Sequence, residues 1–324
     1  MINTKNSLLL PNNLEHTSIS SMIMILSDWS FISVNGKDSK KYLHTQLTSD
    51  IEKLNITEHI FTAHCNSMGK IWSTLRLFYY KHGFGYIIRN SIISKQLSEI
   101  KKYAVFSDIT FKYEHDITIL GVIGYNTCHI LKKFFSKIPN KYNTIVHNET
   151  STILYLNIPI PRFLILTHKI QATNLIKHYR LHGDNNTWLS LDIAAGIANI
   201  DINHTSMFTP QAINLENFSN SISFSKGCYL GQEIISKIKY RHSNKRSMYW
   251  LLGTAKFLPK SGQSIDWKDN ENNWHSNGII LTAVRLNSKI VSIQIVMNND
   301  IPLTSTFRIS KDENSRLKIQ NIIL

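Results

Sequence analysis

The chain has 324 residues, 42% of them hydrophobic, which is enough to build an ample core in two or three domains. It contains no apolar run of the ~18–20 residues that a membrane helix needs, and its first residues lack the parts of a signal peptide, so we expect no membrane segment and a cytoplasmic protein. The 36 Lys and Arg residues exceed the 22 Asp and Glu residues, and the resulting net charge of +14 favours phosphate-rich partners or polyglutamate tails.

The three cysteines indicate free thiols rather than a disulfide framework. Cys65, Cys128 and Cys228 are odd in number and far apart, which is typical of a reducing compartment. There is no CxxC motif. His64 adjoins Cys65, but neighbouring residues in a strand point to opposite faces. We therefore expect no metal site.

The first third of the chain is predicted to form an α+β unit behind a loose polar arm at residues 1–20. Residues 29–34 have the composition of a strand, and Asp38 is suited to cap the helix that follows. An apolar stripe from Leu43 to Leu54 predicts that this helix continues across both residues. The remaining elements predicted here are strands at 59–64, 71–80 and 86–89 and a helix at 92–104.

A second unit of strands and helices is predicted from residue 117, followed by an all-β segment from residue 247. In the all-β segment, Val291, Ile293 and Ile295 alternate with polar neighbours at a period of two, which predicts a strand of a small closed barrel. The elements of the second unit are strands at 117–125, 151–157 and 162–167 and helices at 127–137, 172–182 and 188–198.

The most informative feature is the run Lys226-Gly227-Cys228-Tyr229-Leu230-Gly231-Gln232-Glu233. A helix is predicted from Gly231 to Tyr240, which places Cys228 near a helix start, with Lys226 beside it. Such settings lower the pKa of a cysteine from about 8.5 toward ~3.5–7.5 and make it reactive. The alternative is a buried, inert cysteine at a turn. Cys228 and Lys226 are the candidate catalytic residues.

A dense group of cations follows this run. Such a group is also common as a solvated helix end, where positive charge is favoured anyway. Because it adjoins the cysteine motif, we interpret it as a possible contact surface for RNA or another anion. Its members are Lys237, Lys239, Arg241, Lys245 and Arg246.

The cysteine run resembles the signature K-G-C-Y-x-G-Q-E of the YgfZ family of folate-binding proteins, which is related to the T-protein (aminomethyltransferase) of the glycine cleavage system. Other blocks continue the resemblance in family order over most of the chain. They are Ala63-His64-Cys65-Asn66, Gly69-Lys70-Ile71-Trp72-Ser73, Leu75-Arg76-Leu77-Phe78, residues 101–107, Phe208-Thr209-Pro210-Gln211-Ala212 and residues 296–300.

The resemblance implies an α+β, T-protein-like fold with three domains around a central opening. The implied division is a folate-binding α+β domain at 1–110 with 205–245, which carries the cysteine motif, a second α+β domain at 111–204, and a β-barrel domain at 246–324. Folate, as tetrahydrofolate or a derivative, is the implied cofactor. Trp29 and Trp188 fall where the family carries tryptophans associated with folate, although spacing alone would make both core residues.

Two positions depart from the pattern of these relatives. A glutamate that bonds the pterin is replaced by Ala194, and Asp192, about 200° away round the helix, should not simply substitute for it. The aspartate that assists aminomethyl transfer is missing, because Ser73 and Thr74 stand in the corresponding run. The alanine at position 194 predicts altered folate affinity or selectivity. The missing aspartate predicts that this protein is not a conventional aminomethyltransferase.

The resemblance implies a folate-dependent accessory factor for iron–sulfur proteins and tRNA-modification enzymes, including those that thiolate tRNA. Cys228 would be a transient nucleophile or sulfur ligand, tuned by Lys226, with Gly227, Tyr229, Gly231, Gln232 and Glu233 supporting the motif. The alternatives are a folate-dependent one-carbon transferase with an unknown acceptor and a non-enzymatic protein that binds tRNA directly. A monomer is expected.

Overall fold

The structure is a computed structural model that describes residues 20–323. The arm predicted at residues 1–20 lies outside the described residues except for Ser20. Three β-sheets with helices packed on them make up the rest, so the predicted α+β class is confirmed. Where the domain boundaries lie stays a prediction.

The first sheet has five antiparallel strands and two helices on one face. These are β2 (Trp29–Asn35), β3 (His59–Cys65), β4 (Ile71–Tyr80), β5 (Gly83–Arg89), β6 (Thr110–Tyr113), α1 (Ser39–Gln46) and α2 (Ile93–Lys101). The strand order is β3-β4-β5-β2-β6. Because side chains alternate along β2, Ile32 and Val34 pack under α1 while Phe31 faces the second sheet.

The second sheet has six strands in the order β11-β1-β7-β10-β9-β8, and only its β1–β11 pair is parallel among the described residues. Its elements are β1 (Met22–Ile25), β7 (Ile117–Ile123), β8 (Ile145–Asn148), β9 (Ser151–Leu156), β10 (Arg162–His168), β11 (Leu181–Gly183), α3 (Thr127–Leu131), α4 (Lys169–Ile176) and α5 (Asn185–Ala194). β1 precedes the whole first sheet in sequence yet pairs with β7, which the sequence analysis did not foresee.

The third sheet is antiparallel and has seven strands. They are β12 (Arg246–Thr254), β13 (Ile265–Lys268), β14 (Trp274–Asn277), β15 (Ile279–Arg285), β16 (Ile290–Asn298), β17 (Phe307–Ile309) and β18 (Asp312–Gln320). Their order is β14-β13-β17-β18-β12-β16-β15, so β14 and β15 are edges. The predicted small antiparallel barrel domain is therefore confirmed, in the form of a half-barrel whose edge strands are not hydrogen-bonded to each other.

Five predicted helices extend past their observed ends: those predicted at 92–104, 127–137 and 188–198 end at Lys101, Leu131 and Ala194. In two further cases the cause is a strand pairing. α1 ends at Gln46 because Leu47 adopts an extended conformation and bridges to His64 of β3. The helix predicted at 172–182 ends at Ile176, because Leu181–Gly183 joins the sheet beside β1. In both places a backbone pairing with a distant strand overrides an apolar helical pattern.

A sixth helix, α6 (Gln232–Tyr240), follows the cysteine run as predicted. The largest hydrophobic cluster joins all three sheets around α5. It includes Phe61 of the first sheet, Leu164 of the second, Val284 of the third, and Trp188 and Leu191 of α5. The side chains that follow Trp188 along α5 therefore lie at the junction of the three sheets.

Candidate functional site

A cavity opens where the first two sheets meet α5, with about 40 Å³ of enclosed space and a wider mouth that is open to solvent. The enclosed space is well below the ~300–1,000 Å³ typical of small-molecule sites. Both tryptophans singled out in the sequence line it, although they are 159 positions apart along the chain. The remaining lining residues are Phe61, Thr74, Leu75, Arg76, Ile87, Ile88, Arg89, Leu156, Leu164, Asp192, Ile197 and Asn199.

Trp29 is half-buried at the start of β2 and is paired across the sheet with Arg89 of β5. The guanidinium carbon of Arg89 lies 4.4 Å from the centre of the indole ring, and its Nη2 is 3.4 Å from Asp28 Oδ2. A cation over an aromatic face is a favourable arrangement. This pair gives the cavity an aromatic surface and a positive charge at the same position.

Trp188 is buried in α5 and lies against the guanidinium of Arg162, 4.3 Å from its ring centre. The ring fits against β7 because Gly121 has no side chain. A Cβ built there would lie 2.5 Å from the ring carbon Cε3 of Trp188. The position of the second indole therefore depends on a glycine in another strand.

Asp192 is the buried carboxylate of the cavity. Its Oδ1 accepts a hydrogen bond of 2.7 Å from Arg162 Nη2, and its Oδ2 accepts one of 3.0 Å from Asn199 Nδ2. Burial lowers the pKa of Arg162, while the Asp192 charge acts in the opposite direction. Each carboxylate oxygen can accept a further bond, so Asp192 can still receive an N–H donor of a ligand.

Ala194 is fully buried and does not line the cavity; its carbonyl accepts a hydrogen bond of 2.9 Å from Ile323 N. Position 194 is thus not on the wall of this cavity, and the effect of its alanine on folate binding stays a prediction. Asp192, which was expected to point elsewhere, is the acidic residue of α5 on the cavity wall. The absence of a glutamate at position 194 consequently removes nothing from this surface.

Two buried hydrogen-bond donors at or beside the cavity lack a partner among the described residues. Arg89 Nη1 belongs to a lining residue, and Arg162 Nη1 belongs to the arginine that lies against Trp188. Buried unpaired donors are costly, and they favour a ligand that supplies carbonyl or carboxylate oxygens. Two indoles, the free guanidinium nitrogens and Asp192 are the groups that a flat, polar heteroaromatic ring with an anionic tail would require. These residue types match the chemistry of a folate, and the enclosed volume of the cavity would have to increase before a pterin ring could enter it.

The position of the missing catalytic aspartate is also on this wall. Thr74 lines the cavity, and its hydroxyl donates a 2.8 Å hydrogen bond to the carbonyl of Ala198. Ser73 points to the other face of β4, where its hydroxyl is buried without a partner. Neither side chain can take up a proton from a folate nitrogen as a carboxylate would.

Lys226 is buried against the end of α1. Its ammonium donates to the carbonyl of His44 and, at 2.6 Å each, to the carbonyls of Leu47 and Ser49. These carbonyls lie at the negative end of a helix, where a cation is favoured. Burial lowers the pKa of Lys226 to about 7, while the charges of Asp50 and Glu52 act in the opposite direction. Its role as an activator of Cys228 stays a prediction.

Cys228 is exposed at the apex of a loop that is fastened on both sides. Ser223 N donates to Thr48 O at 2.8 Å, and Leu230 N donates to Thr45 O at 3.1 Å. The helix that follows begins at Gln232, with Gly231 as its N-cap, so Cys228 stands outside the first helical turn. The predicted inert, buried alternative does not apply to this thiol.

Gln232 and Gly231 shape the loop. Gln232 accepts a hydrogen bond from Tyr229 N at 3.3 Å and donates one to Lys226 O at 3.3 Å. Gly231 has φ +83°, and a Cβ there would lie 2.4 Å from Asn66 O. Gly227 has no such constraint, because nothing lies within 4 Å of its Cβ position. The two glycines of the motif therefore differ in what they contribute.

The two remaining members of the motif have different environments. Tyr229 is buried, burial raises its pKa, and its ring lies 4.6 Å from Lys226 Nζ. Glu233 is exposed and pairs with Lys237 at 2.6 Å. Cys228 is not among the residues that line the cavity, so the thiol and the two indoles are separate features of the surface.

The cationic stretch is partly neutralised. Lys237 pairs with Glu233, and Lys239 pairs with Glu216 at 2.5 Å. The other three cations of the stretch, which follow the end of α6, have no carboxylate partner among the described residues: Arg241, Lys245 and Arg246.

One cluster of side chains has metal-ligand chemistry. His44, Asp50 and Glu52 have ligand atoms within 4.8 Å of one another. Positive charge already adjoins them: Lys53 is 3.4 Å from Asp50, and burial and the charge of Lys226 both lower the pKa of His44. The expectation of no metal site stays a prediction. Across residues 20–323, no helix combines the length and apolar character needed to cross a membrane.

Sequence reasoning missed the arginines of the cavity. Arg76 and Arg89 line it, and Arg162 lies against Trp188 beside it. They come from three strands in two sheets, and nothing local distinguishes them from surface arginines. Arg162 offered one signal, since it stands beside a run of apolar strand residues where a charge needs a partner. Its partner, Asp192, lies 30 positions away and could not be identified without the fold.

Comparison with known proteins supports the same family throughout the chain. Residues 244–313 match the family model described as the YgfZ β-barrel domain. The chain is 42% identical over 299 residues to the tRNA-modifying protein YgfZ of Photorhabdus laumondii, covering 92% of this chain and 91% of the relative. It is 41% identical to the protein of the same name in Yersinia enterocolitica, with the same coverage.

Among solved structures, the fold is similar to the glycine cleavage system aminomethyltransferase T from Bartonella henselae. The TM-score is 0.73 with 14% sequence identity, over 95% of this chain and 87% of that one. The expected T-protein-like fold is therefore confirmed. With a fold of this kind, a matching barrel domain and more than 40% identity to curated relatives over nine-tenths of its length, the chain belongs to the YgfZ family of tRNA-modifying proteins.

Proposed function

We propose that this protein binds a reduced folate in the cavity between the first two sheets and, through this, supports iron–sulfur enzymes that modify tRNA. The observation that carries the proposal is the cavity wall itself. It combines Trp29 and Trp188 with an unpaired nitrogen of Arg89 and the carboxylate of Asp192, which Arg162 holds from outside the wall. Relatives with more than 40% identity bear the name tRNA-modifying protein, which supports the link to tRNA.

In this proposal the protein binds and orients the ligand. Trp29, with Arg89 at 4.4 Å, offers a face on which a flat ring can stack at the mouth. Asp192 accepts a hydrogen bond from the edge of a pterin, and the guanidinium donors receive anionic or carbonyl oxygens. A folate bound there supplies a one-carbon unit or a redox-active ring, and Thr74 supplies no carboxylate for aminomethyl transfer.

Calorimetric titration with tetrahydrofolate in the absence of oxygen tests the binding step. Trp29→Leu should weaken binding roughly 2–10-fold, the range expected for lost aromatic stacking. Arg89→Ala should weaken it at least as much, because a charged donor is lost. Trp274→Phe, on the third sheet, is the matched control and should bind as the unchanged protein does. Equal affinity in all four proteins would exclude this cavity as the folate site.

Cys228 is proposed to be the residue that acts on a client, as a transient nucleophile or a temporary sulfur or cluster ligand. Its exposure at the apex of a fastened loop supports this role. In a strain without the gene, Cys228→Ser should fail to restore tRNA thiomethylation. Cys128→Ser, which changes another exposed thiol, should restore it. Full rescue by Cys228→Ser would remove the thiol from the proposal and leave folate binding untouched.

A further inference from the structure

The outer face of the half-barrel carries a wide groove with about 980 Å³ of empty space, counted to its open top. Side chains alternate between the two faces of a strand, so Arg316 and Lys318 of β18 share the outer face. Their cross-strand partners on β12, Thr254 and Leu252, also line the groove. The backbone positions of these two cations therefore lie about 7 Å apart along the strand, because each of the two residue steps between them adds ~3.3 Å.

A tryptophan and further cations line the same groove from the neighbouring strands. Lys268 of β13 and Trp274 of β14 are directly paired across the sheet. The Lys268 ammonium is 5.9 Å from the indole centre, and the Arg308 guanidinium is 4.2 Å from it. The indole is thus held in place by positive groups at the edge of the groove.

None of the residues that line the groove is acidic. Two carboxylates close to Lys268 in sequence are already engaged: Asp266 is buried and bonded to Arg308 and Ser310, and Asp269 pairs with His275 at 2.6 Å. In the part of the chain that the structure describes, Lys268, Arg316 and Lys318 have no carboxylate partner. Uncompensated cations that face one concave surface attract a polyanion.

We propose that this groove binds a segment of RNA, with Lys268, Arg316 and Lys318 on the phosphates and Trp274 against a base. A cationic groove with an aromatic stacking surface is how proteins hold single-stranded nucleic acid. The choice of RNA over other polyanions rests on the proposed role in tRNA modification. The groove is a different surface from the folate cavity, with no lining residue in common.

This surface differs from the cationic stretch on α6. There, two of the five cations are neutralised by Glu233 and Glu216. Among the described residues, none of the remaining three forms a cation–π pair with an aromatic side chain. Within residues 20–323, each surface has three cations without a carboxylate partner, and the groove also has a stacking group.

The test is fluorescence anisotropy with a labelled 15-nucleotide oligouridine RNA and with a tRNA transcript, from 50 to 300 mM KCl. Lys268→Glu with Lys318→Glu should weaken RNA binding at least tenfold at 100 mM salt. It should also reduce the slope of log K against log salt by about 1.4, because each phosphate contact on a single strand contributes about 0.7. Lys132→Glu with Lys133→Glu, at the end of α3, has the same net charge and should change binding little.

Trp274→Ala distinguishes RNA from polyanions in general. It should weaken RNA binding about tenfold and leave the binding of inorganic polyphosphate unchanged, because only a base can stack on the indole. Trp274→Phe should keep most of the affinity for RNA, which guards against a merely structural effect of the alanine.

Three results would overturn the inference. They are no RNA binding by the unchanged protein, equal losses in the two double variants, and a loss confined to Arg241→Glu with Arg246→Glu. Titration of the groove variants with tetrahydrofolate separates this inference from the proposed function. If RNA binding is lost while folate still binds, the groove is supported; if the unchanged protein binds RNA but no folate, only the folate proposal fails.

Discussion

Arg162 and Asp192 form a buried ion pair beneath Trp188, with Nη2 and Oδ1 2.7 Å apart and the arginine side chain wholly removed from solvent. The pair ties a strand of the second sheet to α5 and fixes the carboxylate of the cavity. A charge left alone at such a depth is costly, so neither partner can be changed without effect on the other.

Asp192→Asn should lower the free energy of unfolding by about 3–5 kcal/mol, because it leaves the Arg162 charge buried without a counter-charge. Asp28→Asn is the matched control, since Asp28 pairs with Arg89 at 3.4 Å but is 45% exposed. The control should cost less than about 1 kcal/mol. Urea unfolding measures both. A similar loss in the two variants would contradict the special position of Asp192.

Lys226 should make stability depend on pH in a defined direction. Its pKa is about 7 in the folded protein and 10.5 in the unfolded chain. Between these values the unfolded state binds more protons, so the free energy of unfolding should rise from pH 7 to pH 10 through this group. Below pH 7 both states are protonated, and the contribution should be constant.

The measurement is urea unfolding of the unchanged protein and Lys226→Met at several pH values. The difference between the two proteins should increase in favour of the unchanged protein as pH rises above 7. At pH 6 the variant leaves three carbonyls at the end of α1 without their donor. A difference that is flat across this pH range would show that the ammonium keeps its ordinary pKa in the fold.

Gly231→Ala should destabilise the protein by about 1–3 kcal/mol or more, because an alanine at φ +83° is strained and its Cβ would meet Asn66 O. Gly227→Ala, in the same motif, has open space around its Cβ and should change stability by less than about 1 kcal/mol. The midpoints of urea unfolding give the comparison. Equal midpoints for the two variants would refute the close approach of the loops.

Ala194→Glu tests whether a glutamate belongs at this position of α5. The side chain is enclosed by the core, so an added carboxylate would be buried without a partner and should cost more than about 3 kcal/mol. Asn186→Glu, at an exposed position of the first turn of the same helix, should be nearly neutral. Tighter folate binding by a stably folded Ala194→Glu protein would contradict the placement of Asp192 as the carboxylate of the cavity.

The elements with a regular pattern were predictable, and two of the errors share one cause. The alternation in Val291, Ile293 and Ile295 gave β16, and the composition of residues 29–34 gave β2. The predictions failed at Leu47 and at Leu181–Gly183, where the backbone pairs with strands far away in sequence. The local sequence around an apolar residue does not show whether that residue will lie on the buried face of a helix or in a strand that pairs with a distant one.

What the sequence by itself determined was the family, the α+β class and the cysteine loop, because these reside in short runs whose residue types limit the local backbone. Only the tertiary structure decided that Asp192 rather than position 194 faces the cavity, that Lys226 caps a helix, and that Arg89 and Arg162 stand over the two indoles. These relationships join residues tens of positions apart. Their distances are set by how three sheets pack around α5, which no local pattern of side chains specifies.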